Sequence, residues 1–280
     1  MSAAEQREVP ASPETADSLG MKYLESTRRR IVTLYLPLAA FLFALLFPFY
    51  WMAITTFKPN AELLSREGNP FWVINPTLAH IKKLLFDTAY PDWLWNTMLV
   101  SVVSTGLSLF CSVLAAYAIE RLRFRGSRYV GMSIFLAYLV PPSILFIPLA
   151  AIVYKFQLFD TRLALILTYP TFLIPFCTWL LMGYFRSIPF ELEECALIDG
   201  ASRLQILIKI VLPLAVPGLI SAGIFAFTLS WNEFIYALTF TSSSEQITAS
   251  VGVTTELIRG DIYFWGSLMA AALMVGLPVA

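Results

Sequence analysis

Apolar residues in this chain gather into long runs and do not alternate with polar ones. The runs lie near 31–56, 95–119, 129–154, 163–185, 210–238 and 264–280. At about 1.5 Å of helical rise per residue, the first five can cross a hydrocarbon core roughly 30 Å thick. The sixth stops at Ala280 after about seventeen residues, roughly 25 Å of helix, which suggests a truncated last span. Backbone N–H and C=O groups in lipid must bond within their own segment, so the runs are expected to be helices. The pattern predicts an all-α membrane protein with six transmembrane helices. Pro37, Pro48, Pro141, Pro142, Pro148, Pro170 and Pro175 fall inside the runs, and neighbouring helices are expected to absorb their kinks.

The segments between the runs set the expected orientation. Residues 1–20, "MSAAEQREVPASPETADSLG", are small, polar and proline-bearing, and read as a disordered cytoplasmic tail ahead of a single transmembrane domain, 21–280. The first run is too long for a secretory signal and is followed by bulky "WMAITTFKP", with no small-residue cleavage site. Lys22, Arg28, Arg29 and Arg30 precede it; Arg121, Arg123, Arg125 and Arg128 follow the second run; Arg186, Arg203 and Lys209 follow the fourth. These share one side of a six-span arrangement. The other side holds Lys58, Arg66, Lys82, Lys83, Lys155, Arg162 and Arg259, spread over longer loops. The bias predicts a cytoplasmic amino terminus. On the outer side, residues 57–94 carry an amphipathic stripe of Leu78, Ile81, Leu84 and Leu85, suited to lying on the membrane or to receiving an outside partner. Trp72, Trp93 and Trp95 are expected at headgroup level.

Composition agrees with a membrane protein. The chain is 58% hydrophobic and only 14% charged, with a mean hydropathy of +0.71, whereas soluble domains carry about 25% charged residues. A net charge of zero gives no reason to expect nucleic acid. Cys111, Cys177 and Cys195 suit neither a disulfide framework nor a zinc site, and His80 is the only histidine, so no metal site is expected. There is no GxxxxGK phosphate loop.

One passage breaks the pattern. Residues 191–217, "ELEECALIDGASRLQILIKIVLPLAVP", put an acidic insert between the fourth and fifth runs, on the predicted cytoplasmic side. Ser187 or a neighbour can cap a short helix with Pro189 in its first turn, and Glu191, Glu193 and Glu194 suit the positive end of its dipole. Asp199-Gly200 closes that helix, because glycine takes the left-handed C-cap without steric cost. Ser202 and Gln205 then form a capping-box pattern for a second helix running to Pro213. Two helices on a tight turn make a rigid knob that a partner can grip.

The residue order in this knob resembles the EAA signature of permease subunits of binding-protein-dependent ABC importers. The pattern is Glu-Ala-Ala, three residues, Gly, nine residues, Ile-x-Leu-Pro. Here it reads Glu194, Cys195, Ala196, Gly200, Ile210, Leu212 and Pro213, departing only in the small Cys195. The "DGAS" stretch, Asp199 to Ser202, and "WNEF", Trp231 to Phe234, look like the carbohydrate-uptake branch, in the shorter, maltose-type subunit. The resemblance spans roughly residues 30–280. It implies a bacterial inner-membrane subunit paired with a second, non-identical permease, two ATP-binding subunits and a solute-binding protein. ATP and Mg would bind in the ATPase subunits, so no cofactor and no enzymatic activity are expected in this chain. The insert would be the coupling helix, through Glu194, Cys195, Ala196, Asp199, Gly200, Ala201 and Pro213.

Glu233 is the one acid lying clearly inside a run, and an ionisable group at depth is a candidate functional site. With Asn232 it could bond sugar hydroxyls while Trp231 or Tyr236 stacks on a sugar face; it could equally serve the structure alone. Uptake of an amino acid, polyol or phosphonate is the nearest alternative within the family. An ion-coupled secondary transporter would call for acids or histidines along several spans, or inverted repeats. A membrane enzyme would need a nucleophile–base pair, and none is convincing here.

Overall fold

The structure is a computed structural model that describes residues 27–65, 68–122, 124–259 and 262–279. The predicted tail at 1–20, and Lys22, Arg66, Arg123 and Ala280, lie outside the described residues.

Three helices are long and apolar enough to cross a membrane: α1 (Thr27–Phe57), α4 (Tyr90–Arg121) and the pair α7 (Arg162–Thr168) and α8 (Pro170–Ser187), which runs on as one span. Between the first two lie α2 (Asn60–Leu64) and α3 (Ala79–Phe86). Two bent pairs pass the same test only when each is taken together, so the described residues give three to five spans where the sequence pattern predicts six. Helices α5 (Ser127–Tyr138) and α6 (Pro142–Lys155) meet at 96°, and α10 (Arg203–Leu214) and α11 (Val216–Trp231) meet at 77°. Helix α9 (Glu191–Ile198) precedes α10. The chain then continues through α12 (Ile235–Phe240), α13 (Ala249–Glu256), an antiparallel strand pair Ile258–Arg259/Ile262–Tyr263, and α14 (Trp265–Gly276).

The bends correct the expectation that helix packing would absorb the prolines. Pro48, Pro148 and Pro175 do sit inside helices. Pro141-Pro142 cannot, because each proline removes an N–H and pushes the residue before it out of the helical region. Pro141 is extended, at φ −61° and ψ 134°, and becomes the N-cap of α6. The fifth run breaks for a similar reason. The chain widens into a π-turn at Leu207–Val211, where Leu212 N–H bonds back to Leu207 O, and then turns at Ala215 between Pro213 and Pro217.

Helix α4 is the axis of the packing. Ser101, Ser104, Ser108 and Ser112 line one face at helical spacing and are all fully buried. Lipid chains are as apolar as leucine, so spans associate by close packing and interhelical hydrogen bonds, which small residues permit. Ser104 Oγ lies 3.0 Å from Ser230 Oγ on α11, and the Ser112 hydroxyl donates to Ile174 O of α8 at 3.1 Å. Where α11 crosses α8, a Cβ on Gly218 would collide with the Tyr184 ring.

The loops at the end of the bundle away from α9 form an ordered cap. Helix α3 buries His80 and Leu84, and His80 Nε2 lies 2.9 Å from Lys58 O; of the other stripe residues Ile81 and Leu85 are half-buried and Leu78 is exposed. Trp72 and Trp95 are exposed, but Trp93 is not at the surface as expected. It is 1% exposed, its indole donating to Ser244 O at 2.9 Å. Asp160, at φ +58°, clasps two loops together: its Oδ1 accepts from Ser242 N at 2.8 Å, Ser243 N at 2.9 Å and Ser243 Oγ at 3.1 Å.

Burial pushes the Asp160 carboxyl up, but the Ser242 and Ser243 donors outweigh it and hold the group below the usual carboxylate range. A lowered folded pKa stabilises above the unfolded value, near 3.9, and the contribution is lost as pH falls through the folded value. We predict that the melting temperature of the detergent-solubilised wild type exceeds that of Asp160→Ala at pH 6, and that the gap closes below about pH 4. A gap of equal size at both pH values would show that the carboxylate charge plays no part.

Candidate functional site

The insert begins where α8 ends. Ile188 precedes Pro189 and is extended, with φ −78° and ψ 128°, so the helix stops at Ser187. Ser187 therefore does not cap α9, contrary to expectation; its hydroxyl turns back to Tyr184 O at 2.7 Å. Helix α9 starts from Phe190 without a side-chain cap, its first turn carrying Glu191, Glu193 and Glu194.

The turn after α9 follows the sequence reading closely. Gly200 has φ +82°. Its N–H bonds Leu197 O at 3.0 Å, and Ala201 N–H bonds Ala196 O at 2.9 Å. This is a Schellman closure, which satisfies carbonyls at the helix end and favours glycine at the left-handed position. Ser202 and Gln205 complete the capping box of α10, with Gln205 N to Ser202 Oγ at 3.3 Å and Ser202 N to Gln205 Oε1 at 2.8 Å. Asp199, Gly200, Ala201, Gln205 and Lys209 line a groove of about 320 Å³ beside this turn. Glu194, Cys195 and Pro213 are exposed, and Ala196 and Ala201 are half-buried. Apolar side chains also stand out from the insert: Ile198 is 86% exposed, and Leu192, Leu204 and Ile208 are exposed as well.

The sequence reading missed what holds this knob. Glu193, one of three similar acids in the sequence, is fully buried, and its Oε1 lies 3.2 Å from Nε of Arg121 at the end of α4. Arg121, counted above as a topology-setting surface charge, is 5% exposed. Its Nη2 donates to Phe185 O and, at 2.7 Å, to Ile188 O, so one guanidinium also satisfies carbonyls at the end of α8. The Tyr117 hydroxyl lies 3.5 Å from Glu193 Oε2 and 3.4 Å from Arg203 O, and Arg203 Nη1 is 4.0 Å from the same carboxylate. The Phe190 ring centroid is 5.8 Å from Arg121 Cζ. Nothing in the spacing of Glu191, Glu193 and Glu194 marks the middle one, because the partner comes from a distant span.

The four substrate-path candidates separate in space. Trp231 is 2% exposed and donates its indole N–H to Val275 O at 3.0 Å. Tyr236 is fully buried, its ring edge-on to Phe172 at 5.7 Å. Neither ring offers a face for stacking in this conformation. Glu233 accepts from Tyr236 N at 2.9 Å and Ala237 N at 3.1 Å, so its carboxylate caps the first turn of α12. Asn232 is exposed and lines a cavity of about 440 Å³ with Phe49, Ser250, Val253, Ala272 and Val275.

A carboxylate that satisfies the free N–H groups of a helix start stabilises by about 0.5–2 kcal/mol. We predict that Glu233→Ala lowers the thermal stability of the purified protein by this order, and that Glu233→Gln, which retains an acceptor, recovers more than half of the loss. Equal losses in the two variants would remove the capping role.

Comparison with known proteins places this geometry in a family. Residues 108–279 match the model for the binding-protein-dependent transport system inner membrane component. The inner membrane ABC transporter permease protein YcjP of Escherichia coli (strain K12) is 38% identical over 250 residues, covering 88% of each chain. The sulfoquinovosyl glycerol transport system permease protein SmoH of Agrobacterium fabrum (strain C58 / ATCC 33970) is 38% identical over 237 residues, covering 84% of this chain and 82% of that one. Among solved structures, a chain of a bacterial ABC transporter involved in the import of the acidic polysaccharide alginate shares the fold, with a TM-score of 0.79 at 23% identity over 91% of this chain and 94% of that chain. The protein is thus a multi-pass inner-membrane permease subunit of the binding-protein-dependent ABC importers.

Proposed function

We propose that this subunit forms part of the path by which an ATP-driven importer takes up a sugar or oligosaccharide. Permease subunits of this family do not hydrolyse ATP; separate ATPase subunits do. The sugar reading draws on the relative named for sulfoquinovosyl glycerol transport and on the "WNEF" stretch, Trp231 to Phe234. Asn232, exposed at the 440 Å³ cavity, is the candidate for direct solute contact, with the Glu233 carboxylate behind it holding the short helix in place.

The observation that carries the coupling part of the proposal is the built turn at Asp199-Gly200-Ala201. It is closed at both ends by hydrogen bonds and flanked by an open groove and by exposed Ile198 and Leu204. A segment that only returned the chain to the membrane would need neither the rigid corner nor the apolar projections. We assign this corner, with Glu194, Cys195, Ala196 and Pro213, as the element that seats in an ATPase subunit. The complex then comprises a second permease, two ATPase subunits and a solute-binding protein on the outside. Six crossings in a single domain from residue 21 onward, the two bent pairs and α14 each counted as one, put the insert and the amino terminus in the cytoplasm.

Two measurements test this. Gly200→Val places a β-branched residue at φ +82°, a strain of about 1–3 kcal/mol, and Glu194→Lys reverses a charge worth only about 0.3–1 kcal/mol at a helix start. Both are expected to insert normally but to lose ATPase subunits on affinity purification, or to hydrolyse ATP without transport. Full recovery with wild-type coupling in both would sink the docking role. For topology, single cysteines at Ser65 and Ile198 in a cysteine-free background are expected to react with an impermeant maleimide from outside and inside respectively. Labelling of the Ser65 position from the cytoplasmic side alone would reverse the orientation.

A further inference from the structure

The insert has two physical connections to the bundle. Helix α10 runs on through Ala215 into α11 and buries Ile206, Leu207 and Val211, so that connection is covalent and apolar. Helix α9 is different: the only side chain it buries is Glu193. Its hold on the bundle beyond the chain itself is thus mainly a charge, in contact with an arginine from another span, with only the small half-buried Ala196 packed on the core beside it.

We infer that the Arg121–Glu193 pair is the fastening through which movement of the insert reaches α4 and α8, so that both are positioning residues for coupling. The inference rests on the docking role proposed above. The geometry divides the guanidinium in two, with Nε in ion-pair contact with Glu193, 3.2 Å from Oε1 but out of line for a hydrogen bond, and Nη2 donating to Phe185 O and Ile188 O at the end of α8. Arg121 is itself the last residue of α4. One planar group therefore joins the insert to the ends of two spans that already pack together along their length. A lysine, a point charge on a flexible stem, cannot hold all three acceptors in fixed directions.

Stability alone does not account for the pair. Removing two charges from water costs several kcal/mol each, and apolar replacements of a buried pair are often as stable or more so. What the pair supplies is direction: α9 cannot shift without dragging Arg121, or leaving a buried charge behind. The residues thought to face the ATPase, Glu194 and the Asp199–Ala201 groove, are exposed, so the fastening can be altered without touching the docking surface.

The test is amide hydrogen exchange by mass spectrometry on the assembled complex in nanodiscs, with and without ATP and vanadate, a readout that needs no solute. In the wild type, nucleotide is expected to change exchange in residues 191–205 and also at the inner ends of α4 and α8. In Glu193→Gln and in Arg121→Lys, which keeps the charge should the first variant fail to assemble, the insert response is expected to persist. The response at the ends of α4 and α8 is expected to fall by about fivefold or more, the lower end of ordinary site-to-site coupling. A merely structural role would instead raise exchange equally in both nucleotide states. Wild-type responses in the two spans of either assembled variant would overturn the fastening. The absence of any insert response in the wild type would instead overturn the docking reading beneath it.

Discussion

The buried contact between Glu193 and Arg121 ties the corner formed by α9 and α10 to the ends of two membrane helices. Without it, α9 would have a backbone link at either end and, apart from the half-buried Ala196, little apolar packing to set its angle to the spans. With it, the ends of α4 and α8 and the start of the insert share one guanidinium. The neighbouring residue strengthens the same junction on its outer side, where Glu120 forms a two-pronged pair with Arg186 of α8 at 2.9 and 3.0 Å. The exposed pair contributes little by itself. The buried one is the sensitive element, because losing Glu193 leaves the Arg121 charge buried, and losing Arg121 leaves Glu193 only the longer contacts to Arg203 and Tyr117.

Above this junction the bundle is held by close packing of small residues and by polar contacts. The serine face of α4 lets α11 approach closely enough for hydroxyls to meet, and Gly218 leaves room for Tyr184. Prolines take a different part. At Pro48, Pro148 and Pro175 the helix continues, whereas at Pro141-Pro142 and around Ala215 it turns sharply. Two consecutive prolines, or a pair four residues apart after a widened turn, remove too many backbone donors for one straight helix to survive. Bent spans leave gaps between segments, and the 440 Å³ cavity beside Asn232 opens next to the break between α11 and α12.

The sequence made local features legible and left distant ones hidden. Gly200, Ser202 and Gln205 were readable because a Schellman turn and a capping box are set by residues within a few positions of each other. Three uninterrupted spans were readable for the same reason, whereas the full count of six was not. Trp93, Arg121 and Glu193 were misjudged because each looks like a surface residue locally and is buried only by a partner far along the chain: Ser244 for the first, and each other for the pair. Glu233 shows the converse. An acid within an apolar run draws attention as a solute ligand, yet its nearest donors are the N–H groups of its own next turn. The family assignment displaces the ion-coupled transporter and enzyme readings, which lacked supporting residues from the outset.

That contrast bears on how solute specificity could sit in this chain. Glu233 is committed to the start of α12, Trp231 to Val275 and Tyr236 to an aromatic cluster, so three of the four polar or aromatic candidates are tied into the packing. Their work is to fix the backbone on either side of Asn232, whose side chain donates to Thr228 O at 2.9 Å while remaining exposed. A mostly apolar cavity with one amide at its wall can orient a sugar but cannot satisfy many hydroxyls, each of which costs free energy if buried without a partner. Further polar contacts to a sugar must therefore come from beyond this cavity.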